Sequence, residues 1–433
     1  MQTALFPEDA ALAAPPRSNG SINRLDVDDR HFHDWYRFVL SFPAHLVREY
    51  LRRFELNEDD MLLDPFCGAG TTLVEAKRHG IPSTGIEANA VAHFACSVKT
   101  DWDVDPAELR EHAHSLARQA KEIIDSWSRA SLRTLPEESF NLLLNGSISP
   151  LPLHKSLVLR DQIEENEDVG YKRHELLALA KSLVFSASNL YFGPEVGVRR
   201  TKKADAPVIE SWLTEVEKIV ADLRMKRCLN APATVYHADA RQLASLLSPE
   251  SISAVFTSPP YPNEKDYTRT TRLESVMLGY IKNREELRSL KKNLIRSNSR
   301  NVYKGDDDDE WVAGHAEVQS IAEEIEKRRI TLGKTSGFER QYSKVTKLYF
   351  GGMARHLAEL RPFLKPGAYL GYVVGDQASY LQVMIRTGQI LADIARSLGY
   401  RIIGIDLFRT RLATATRQQV REEVVVLQWP GCQ

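Results

Sequence analysis

The sequence of 433 residues lacks any long hydrophobic run and is poor in cysteine. No apolar run approaches the roughly 20 residues that a membrane helix needs, and the N-terminus lacks the basic and then apolar pattern of a signal peptide. We therefore expect a cytoplasmic protein. The four cysteines lie far apart and form no CxxC pair, so neither a zinc or other metal site nor a disulfide framework is expected. They are Cys67, Cys96, Cys228 and Cys432.

An excess of charge is also absent. The net charge of −1 and the isoelectric point of about 6.9 argue against a protein that coats nucleic acid nonspecifically. Local basic clusters are present nevertheless: residues 284–304 contain seven Lys or Arg against two Glu, and residues 197–203 contain four Lys or Arg. Such clusters are most often solvent-exposed faces, so a phosphate-binding role depends on motifs elsewhere in the chain.

Strand and helix patterns alternate on both sides of residues 104–230. An apolar run ends at Asp64, a glycine-bearing turn follows, a helix pattern starts near Thr71, and a second strand pattern ends at Glu87. This order is typical of the first half of a doubly wound α/β sheet, in which ligands bind at the carboxyl ends of the strands. The last two strand patterns predict an antiparallel hairpin. We therefore expect a Rossmann-like α/β fold with a mostly parallel sheet and a helical insertion.

The turn after the first strand reads Asp-Pro-Phe-Cys-Gly-Ala-Gly-Thr-Thr, residues 64–72. Its two glycines let the backbone approach a ligand that a Cβ atom would exclude. Glu87, at the end of the next strand, can accept hydrogen bonds from both hydroxyls of a ribose. Because the full GxGxxG spacing is absent, S-adenosylmethionine fits this turn better than a dinucleotide does. Asp64 is then a candidate for the methionine end, and Asp239 either for the adenine amine or for a helix cap.

A second motif, Thr-Ser-Pro-Pro-Tyr at residues 257–261, ends the apolar fourth strand. The prolines stiffen the backbone, so the carbonyl oxygen of Pro259 and the hydroxyl of Ser258 can converge as acceptors on an amine. An exocyclic amine of a base is a poor nucleophile because its lone pair is delocalised into the ring. Acceptors that hold its hydrogens aim that lone pair at a methyl donor. Tyr261 offers a flat face on which a flipped-out base can stack.

Both motifs resemble those of the amino-group DNA methyltransferases. Residues 41–47 resemble the cofactor-lid motif of that family, and the segments KPGAYLGYVVGD and REEVVVL near the end of the chain are also similar. The resemblance implies S-adenosylmethionine as the cofactor, double-stranded DNA as the substrate and a cognate restriction endonuclease that acts separately. The implied catalytic residues are Ser258, Pro259, Pro260 and Tyr261. The implied cofactor-binding residues are Phe42, Pro43, Asp64, Pro65, Phe66, Cys67, Gly68, Gly70, Thr71, Thr72, Glu87, Asp239 and Ala240.

The serine of the second motif narrows the choice of target base. In the family that the chain resembles, serine at this position is associated with transfer to N4 of cytosine, whereas enzymes for N6 of adenine usually have Asp or Asn. Ser258 therefore favours cytosine, and adenine stays open because a hydroxyl can assist either amine. RNA methyltransferases that act on a base amine such as guanine N2 show similar motifs in this order and are a further alternative. The intact motifs argue against a noncatalytic relative.

The DNA-recognition region cannot be carried over from the resemblance, because many relatives with this second motif place it before the cofactor motif. Residues 104–230 and 282–340 are the candidates by elimination. The candidate DNA-binding residues are Arg269, Arg272, Lys291, Lys292 and Arg296. The expected organisation is a flexible leader (1–30), a cofactor-binding half-domain (31–103), the helical insertion (104–230), a catalytic-motif segment (231–281), a basic and then acidic excursion (282–340) and the rest of the catalytic domain (341–433).

Overall fold

A computed structural model describes residues 29–37, 41–127, 131–166, 170–193, 195–225, 231–263, 265–412 and 419–431. The predicted flexible leader, residues 1–30, lies outside the described residues except for its last two positions, and so do Cys228 and Cys432. Cys67 and Cys96 are buried free thiols.

A seven-stranded sheet forms the centre of the molecule. In chain order the strands of the described residues are β1 (Leu62–Asp64), β2 (Ser83–Glu87), β3 (Leu190–Phe192), β4 (Val196–Val198), β5 (Ala233–His237), β6 (Ile252–Thr257), β7 (Leu364–Gly375), β8 (Arg401–Leu412) and β9 (Gln419–Gln428). The sheet order is β5-β2-β1-β6-β7-β9-β8, and β3 pairs with β4 in a separate hairpin. The first five strands of that order are parallel, whereas β9 is antiparallel to β7 and β8. The predicted α/β fold with a final antiparallel hairpin is confirmed.

Helices of the described residues surround this sheet. They are α1 (Ala44–Arg53), α2 (Thr71–Arg78), α3 (Ala90–Lys99), α4 (Pro106–Ser126), α5 (Glu137–Phe140), α6 (Pro150–Glu165), α7 (Lys172–Ser182), α8 (Val208–Arg224), α9 (Tyr267–Thr270), α10 (Arg272–Met277), α11 (Arg284–Lys292), α12 (Ala316–Thr331), α13 (Tyr342–Leu360) and α14 (Thr387–Ser397). In the part of the chain that the structure describes, no helix combines the length and the apolarity required to cross a bilayer.

The apolar strands are buried on both faces. Leu62 and Phe256 pack with α1 and α2 on one face of the sheet, whereas Leu63 and Val255 pack with α13 and α14 on the other. A parallel strand between two helical layers has to be apolar on both sides, which explains the consecutive apolar residues Leu62 and Leu63 in β1 and Ala254 to Phe256 in β6. The chain runs outward from β1 to β2 and β5 and then returns to β6 on the other side of β1, so a crevice opens at the carboxyl ends of β1 and β6.

Residues 104–230 contain α4 to α8 and the short hairpin of β3 and β4, which the sequence did not predict. The apolar faces of these helices form one core, and the N-terminal segment 29–37 packs into it through Phe32 and Trp35. The indole nitrogen of Trp35 donates to the carboxylate of Asp222 on α8 at 2.8 Å. The start of the described chain therefore fastens the helical region to the α/β domain.

Residues 282–340 pack beside the catalytic motif rather than away from it. Lys291, at the end of α11, forms an ion pair of 2.7 Å with Asp266, five residues after Tyr261. The side-chain amide of Asn298 donates to the carbonyl oxygen of Lys265 at 3.1 Å. These contacts place the segment against the loop that follows the catalytic motif.

Candidate active site

The two sequence motifs, almost 200 positions apart in the chain, meet in the crevice at the carboxyl ends of β1 and β6. The hydroxyl of Thr257 donates to the carboxylate of Asp64 at 2.6 Å. The hydroxyl of Thr72 donates to the carbonyl oxygen of Phe256 at 3.3 Å. Parallel pairing of β1 with β6 produces this juxtaposition, because both strands end at the same edge of the sheet.

The turn between β1 and α2 is a tight backbone cradle. Gly68 and Gly70 have φ of 52° and 84°, in the left-handed region, and α2 begins at Thr71 as the sequence predicts. The amide of Gly68 donates to the carboxylate of Glu87 at 2.9 Å. A Cβ atom at Gly70 would lie 2.7 Å from Sγ of Cys96, so only glycine fits against α3 at this point.

Two carboxylates flank the cradle. Asp64 is fully buried, and burial raises its pKa to about 6 although the hydrogen bond from Thr257 opposes the shift. Its Oδ2 atom has no hydrogen-bond partner among the described residues. Burial raises the pKa of Glu87 to about 7, against the hydrogen bonds from the amides of Asn89 and Gly68. Both acids therefore favour a ligand that brings positive charge or hydrogen-bond donors to this edge.

Lys99 supports the cradle from behind, a role that sequence reasoning missed. It is 1% exposed at the end of α3, and its ammonium donates to the carbonyl oxygens of Ala69 at 2.7 Å and Tyr36 at 3.2 Å. Burial lowers its pKa to about 7. A lysine in the last turn of a helix is ordinary in a sequence, and its backbone partners are set only by the tertiary structure.

The catalytic motif forms a loop over the end of β7. The hydroxyl of Ser258 donates to the carbonyl oxygen of Val373 at 3.2 Å, so its single proton is already engaged and its oxygen retains acceptor capacity. The ring of Tyr261 lies against Gly375, where a Cβ atom would be 3.0 Å from the ring. Pro259 is buried and Pro260 is half-buried. The loop thus presents acceptors and an aromatic face at the same edge as Asp64.

Two further tyrosines surround this loop and gave no signal in the sequence. Burial raises the pKa of Tyr267 to about 12, with a contribution from the charge of nearby Glu87. Tyr349 on α13 is 1% exposed, lies near the hydroxyls of Tyr261 and Tyr267, and has a hydroxyl without a partner among the described residues. On α13, Tyr349 lies two helical turns before His356, so it is about 10 Å closer than His356 to the carboxyl edge of the sheet. An unpaired buried hydroxyl there is a group that a ligand can satisfy.

Comparison with known proteins shows similarity to DNA methyltransferases. A family model described as DNA methylase matches residues 18–94. The type II methyltransferase M.BsoBI of Geobacillus stearothermophilus is 25% identical over 435 residues, covering 90% of this chain and 82% of the relative. M.AvaI of Nostoc sp. (strain PCC 7120) is 22% identical over 413 residues, with coverages of 89% and 82%. The chain is thus similar to DNA methyltransferases along most of its length.

Solved structures show more distant likeness to this methyltransferase. An S-adenosylmethionine-dependent methyltransferase from Methanosarcina mazei has a TM-score of 0.30 and 11% identity, over 88% of this chain and 98% of that one. TrmN from Thermus thermophilus has a TM-score of 0.28 and 12% identity, over 93% of this chain and 53% of that one. The fold assignment accordingly rests on the strand order and pairing described above.

The methyl donor of this methyltransferase is S-adenosylmethionine, and the cradle fits it. The unpaired Oδ2 of Asp64 would meet the amino group of the methionine part, and Glu87 would accept the ribose hydroxyls. When bound, the sulfonium supplies an electrophilic methyl group. Among the described residues, no group of three or more His, Cys, Asp or Glu is arranged to hold a metal ion.

Asp239, a candidate for the adenine amine or a helix cap, and Ala240, a predicted cofactor-binding residue, lie just after β5 and have partners of their own. The carboxylate of Asp239 accepts from the guanidinium of Arg241 at 2.6 and 2.9 Å. The carbonyl oxygen of Ala240 accepts from Nδ1 of His356 at 2.8 Å, and the ring of Phe66 lies 5.0 Å from that imidazole. Burial lowers the pKa of His356 to about 4, so it is neutral. An adenine contact by Asp239 would have to share a carboxylate that Arg241 already holds.

The remaining predicted cofactor residues lie around the cradle or on its lid. Phe42 is half-buried with its ring 5.9 Å from Phe256, and Pro43 is the residue before α1. Pro65, Cys67, Thr71 and Thr72 are buried in the cradle itself. The proximity of Phe42 to β6 places the lid segment over the same edge of the sheet as the catalytic loop.

The predicted DNA-binding residues do not form one exposed surface. Arg296 is 4% exposed, and its guanidinium is held by Asp306 at 2.8 Å and by backbone carbonyls. Lys291 pairs with Asp266, and the guanidinium of Arg272 donates to Thr268 and to the carbonyl of Leu142. These three cations hold the protein together in this structure. The sequence could not reveal this, because their partners are remote in the chain or are backbone oxygens.

Lys292 is exposed and Arg269 is half-buried. Of the five predicted cations, Arg269, Arg272 and Lys292 have no carboxylate partner among the described residues, and of these three only Lys292 is exposed. The side chains that accompany Lys292 on the surface come from residues that the sequence analysis did not select.

Proposed function

We propose that this methyltransferase transfers a methyl group from S-adenosylmethionine to N4 of cytosine in a defined DNA sequence, acting on a flipped-out base. The observation that carries the proposal is the state of Ser258, whose proton is donated to the carbonyl oxygen of Val373. While this proton is engaged, the serine oxygen is available to accept from an incoming amine. Within the family, serine at this position accompanies cytosine N4 as the target.

The proposed reaction requires an amine that is held by hydrogen bonds and whose lone pair is oriented towards the methyl donor. The base stacks on Tyr261, which Gly375 supports from the other side. The oxygen of Ser258 and the carbonyl oxygen of Pro259 accept the two amine hydrogens, and the nitrogen lone pair is then directed towards the cofactor cradle. The contribution of the protein is orientation and electrostatic stabilisation, since neither acceptor forms a covalent bond with the base.

The test identifies the methylated nucleoside. The purified protein is incubated with tritiated S-adenosylmethionine and mixed-sequence duplex DNA or total RNA, the nucleic acid is digested, and the labelled nucleoside is identified by mass spectrometry. N4-methylcytosine from DNA is the expected product. N6-methyladenine would agree with the proposed binding of an amine but contradict cytosine as the target base. A label found only in RNA, in guanine N2 for example, would contradict DNA as the substrate.

A matched pair of serine variants sharpens this test. Ser258 follows β6 directly, and Ser251 precedes it at the other edge of the sheet, where its hydroxyl donates to the carbonyl of Ser248. Ser258→Ala is expected to lower methylation while S-adenosylmethionine binding is retained, because only the amine loses an acceptor. Ser251→Ala serves as the control and is expected to leave both properties unchanged.

The wider setting of the activity is also proposed rather than observed. A cognate restriction endonuclease that acts separately, a cytoplasmic location and the roles of residues 104–230 and 282–340 in recognition stay predictions. The packing of residues 282–340 against the catalytic loop supports their contact with DNA.

A further inference from the structure

A polar cavity of about 370 Å³ opens beside the catalytic loop. Its walls come from the end of β5, from α11, from the loop at residues 303–308 and from α13. Six Lys or Arg side chains and four Asp side chains line it, so the lining carries a net positive charge. No role described above uses this cavity, although Asp239 forms part of its wall.

The arginines of the inner wall are neutralised. Arg241 pairs with Asp239 at 2.6 Å and also with Asp308, and Arg355 lies 3.3 Å from the same Asp308. Arg241 is 7% exposed and Asp308 is 4% exposed. These buried pairs are structural, because removing one partner would leave the other as an unpaired buried charge.

Three cations of the outer wall remain without such partners. Arg288, Lys292 and Lys304 are exposed, and no carboxylate of the described residues lies within ion-pairing distance of them. The guanidinium of Arg288 lies 5.5 Å from the centre of the Tyr303 ring, which restricts its position. The exposed part of the lining, which we call its mouth, therefore carries these three cations and Asp307, the one carboxylate of the lining without an ion pair among the described residues, and so a net positive charge.

The mouth lies close to the catalytic loop. Lys292 adjoins Lys291, whose ion pair with Asp266 fixes the end of α11 to the loop that follows Tyr261. The guanidinium of Arg241 also donates to the carbonyl oxygen of Lys292 at 3.4 Å. These two contacts hold the end of α11, which carries Arg288 and Lys292, in a fixed place relative to the catalytic motif.

We propose that Arg288, Lys292 and Lys304 bind a phosphate group of the DNA backbone next to the flipped nucleotide. A phosphate is the anion that matches an arginine fork and two ammonium groups at one opening, and phosphate contacts set the position of a duplex without reading its sequence. The inference rests on the proposed DNA substrate. In place of Lys291 and Arg296, which the sequence predicted to bind DNA, the proposal assigns phosphate binding to side chains whose charge is accessible.

The test compares two triple variants of equal charge. R288Q, K292Q and K304Q combined remove the outer cations, whereas R52Q, R396Q and R401Q combined remove three exposed arginines near the opposite, amino edge of the sheet. Fluorescence anisotropy measures the affinity for duplex DNA across salt concentrations. The pocket variant is expected to bind every duplex more weakly, with the slope of log K against log salt reduced by about 1, and to retain cofactor binding.

The possible failures are distinguishable. Equal slopes for the pocket variant and the control would overturn the phosphate site while leaving DNA methylation by the wild type intact. A pocket variant that loses binding of inorganic phosphate in calorimetry but keeps the wild-type slope on DNA would assign the cavity to a free phosphate and also overturn the proposal. A wild type that does not bind DNA would instead overturn the proposed function.

Discussion

The cofactor half and the catalytic half of the carboxyl edge are built in different ways. In the cofactor half, the cradle at residues 64–72 and Glu87 are separated by one helix and contact each other through backbone amides. In the catalytic half, Ser258 is held by Val373 and Tyr261 by Gly375, each more than 100 positions later in the chain. A local motif can specify the first half, whereas the second exists only when distant strands and helices have packed.

Because of this difference, substitutions in the two halves should affect different properties of the protein. A change at Ser258 or Tyr261 should lower turnover and leave the cofactor bound, because these two side chains contact β7 rather than the cradle. A change in the cradle should alter folding or cofactor affinity first. Three variants test this separation, in order of decreasing effect.

The largest effect is expected for Tyr261→Ala. Stacking of a base on an aromatic side chain contributes about 1–3 kcal/mol, so methylation at limiting DNA should fall about 5- to 150-fold. The dissociation constant of S-adenosylmethionine, measured by calorimetry, should stay near that of the wild type. Tyr261→Phe is the control, because it keeps the ring against Gly375 and should retain most activity. A loss of cofactor binding in Tyr261→Ala would mean that the two halves are not separate.

Gly70→Ala should act on the other half. Its φ of 84° and the 2.7 Å approach of a Cβ atom to Sγ of Cys96 predict a loss of about 2 kcal/mol in the free energy of unfolding. Urea unfolding measures this loss. Gly314→Ala is the control, since nothing lies within 4 Å of its added Cβ atom and its φ is not positive, and its stability should change by less than about 0.5 kcal/mol. Equal stability of the two variants would contradict the tight cradle.

Glu87 gives the smallest effect, a dependence of cofactor binding on pH. Its pKa is raised to about 7, so the carboxyl is mostly protonated at pH 6 and loses acceptor capacity for the ribose hydroxyls. Affinity for S-adenosylmethionine should therefore rise about tenfold between pH 6 and 8. In Glu87→Gln the affinity should be lower and nearly independent of pH in this range, as measured by calorimetry.

The raised pKa of Glu87 also makes the stability of the free protein depend on pH, in the direction opposite to that of cofactor affinity. Because the folded pKa of Glu87 lies above its ordinary value of 4.5, the folded state holds the proton more tightly between pH 4.5 and 7. The contribution of Glu87 to stability is therefore lost as the pH rises through this window. A wild-type cofactor affinity that is equal at pH 6 and 8 would show that Glu87 does not accept from the ligand.

The pairing of the basic residues could not be predicted from the sequence. The sequence shows that residues 284–304 are basic, but it does not distinguish the two cations that have structural partners, Lys291 and Arg296, from those that stay accessible. Arg296 faces Asp306 in a buried pair, whereas Arg288, one helix turn before Lys292, has no carboxylate partner among the described residues. Charge pairing depends on side-chain direction and on loop conformation, neither of which a run of cations encodes.

The sequence alone determined the fold of this protein, and it predicted the turn at residues 64–72 and the loop at residues 257–261 as the candidate site. Apolar strands, glycines in a tight turn and the stiff Ser-Pro-Pro-Tyr run follow from local chemistry, so they can be recognised residue by residue. Only the tertiary structure decided that Lys99 supports the cradle, that Tyr349 brings an unpaired hydroxyl to the catalytic loop and that a cationic cavity opens beside it. The physical reason is that burial and pairing are properties of three-dimensional neighbours, which parallel strands and inserted helices bring together from distant parts of the chain.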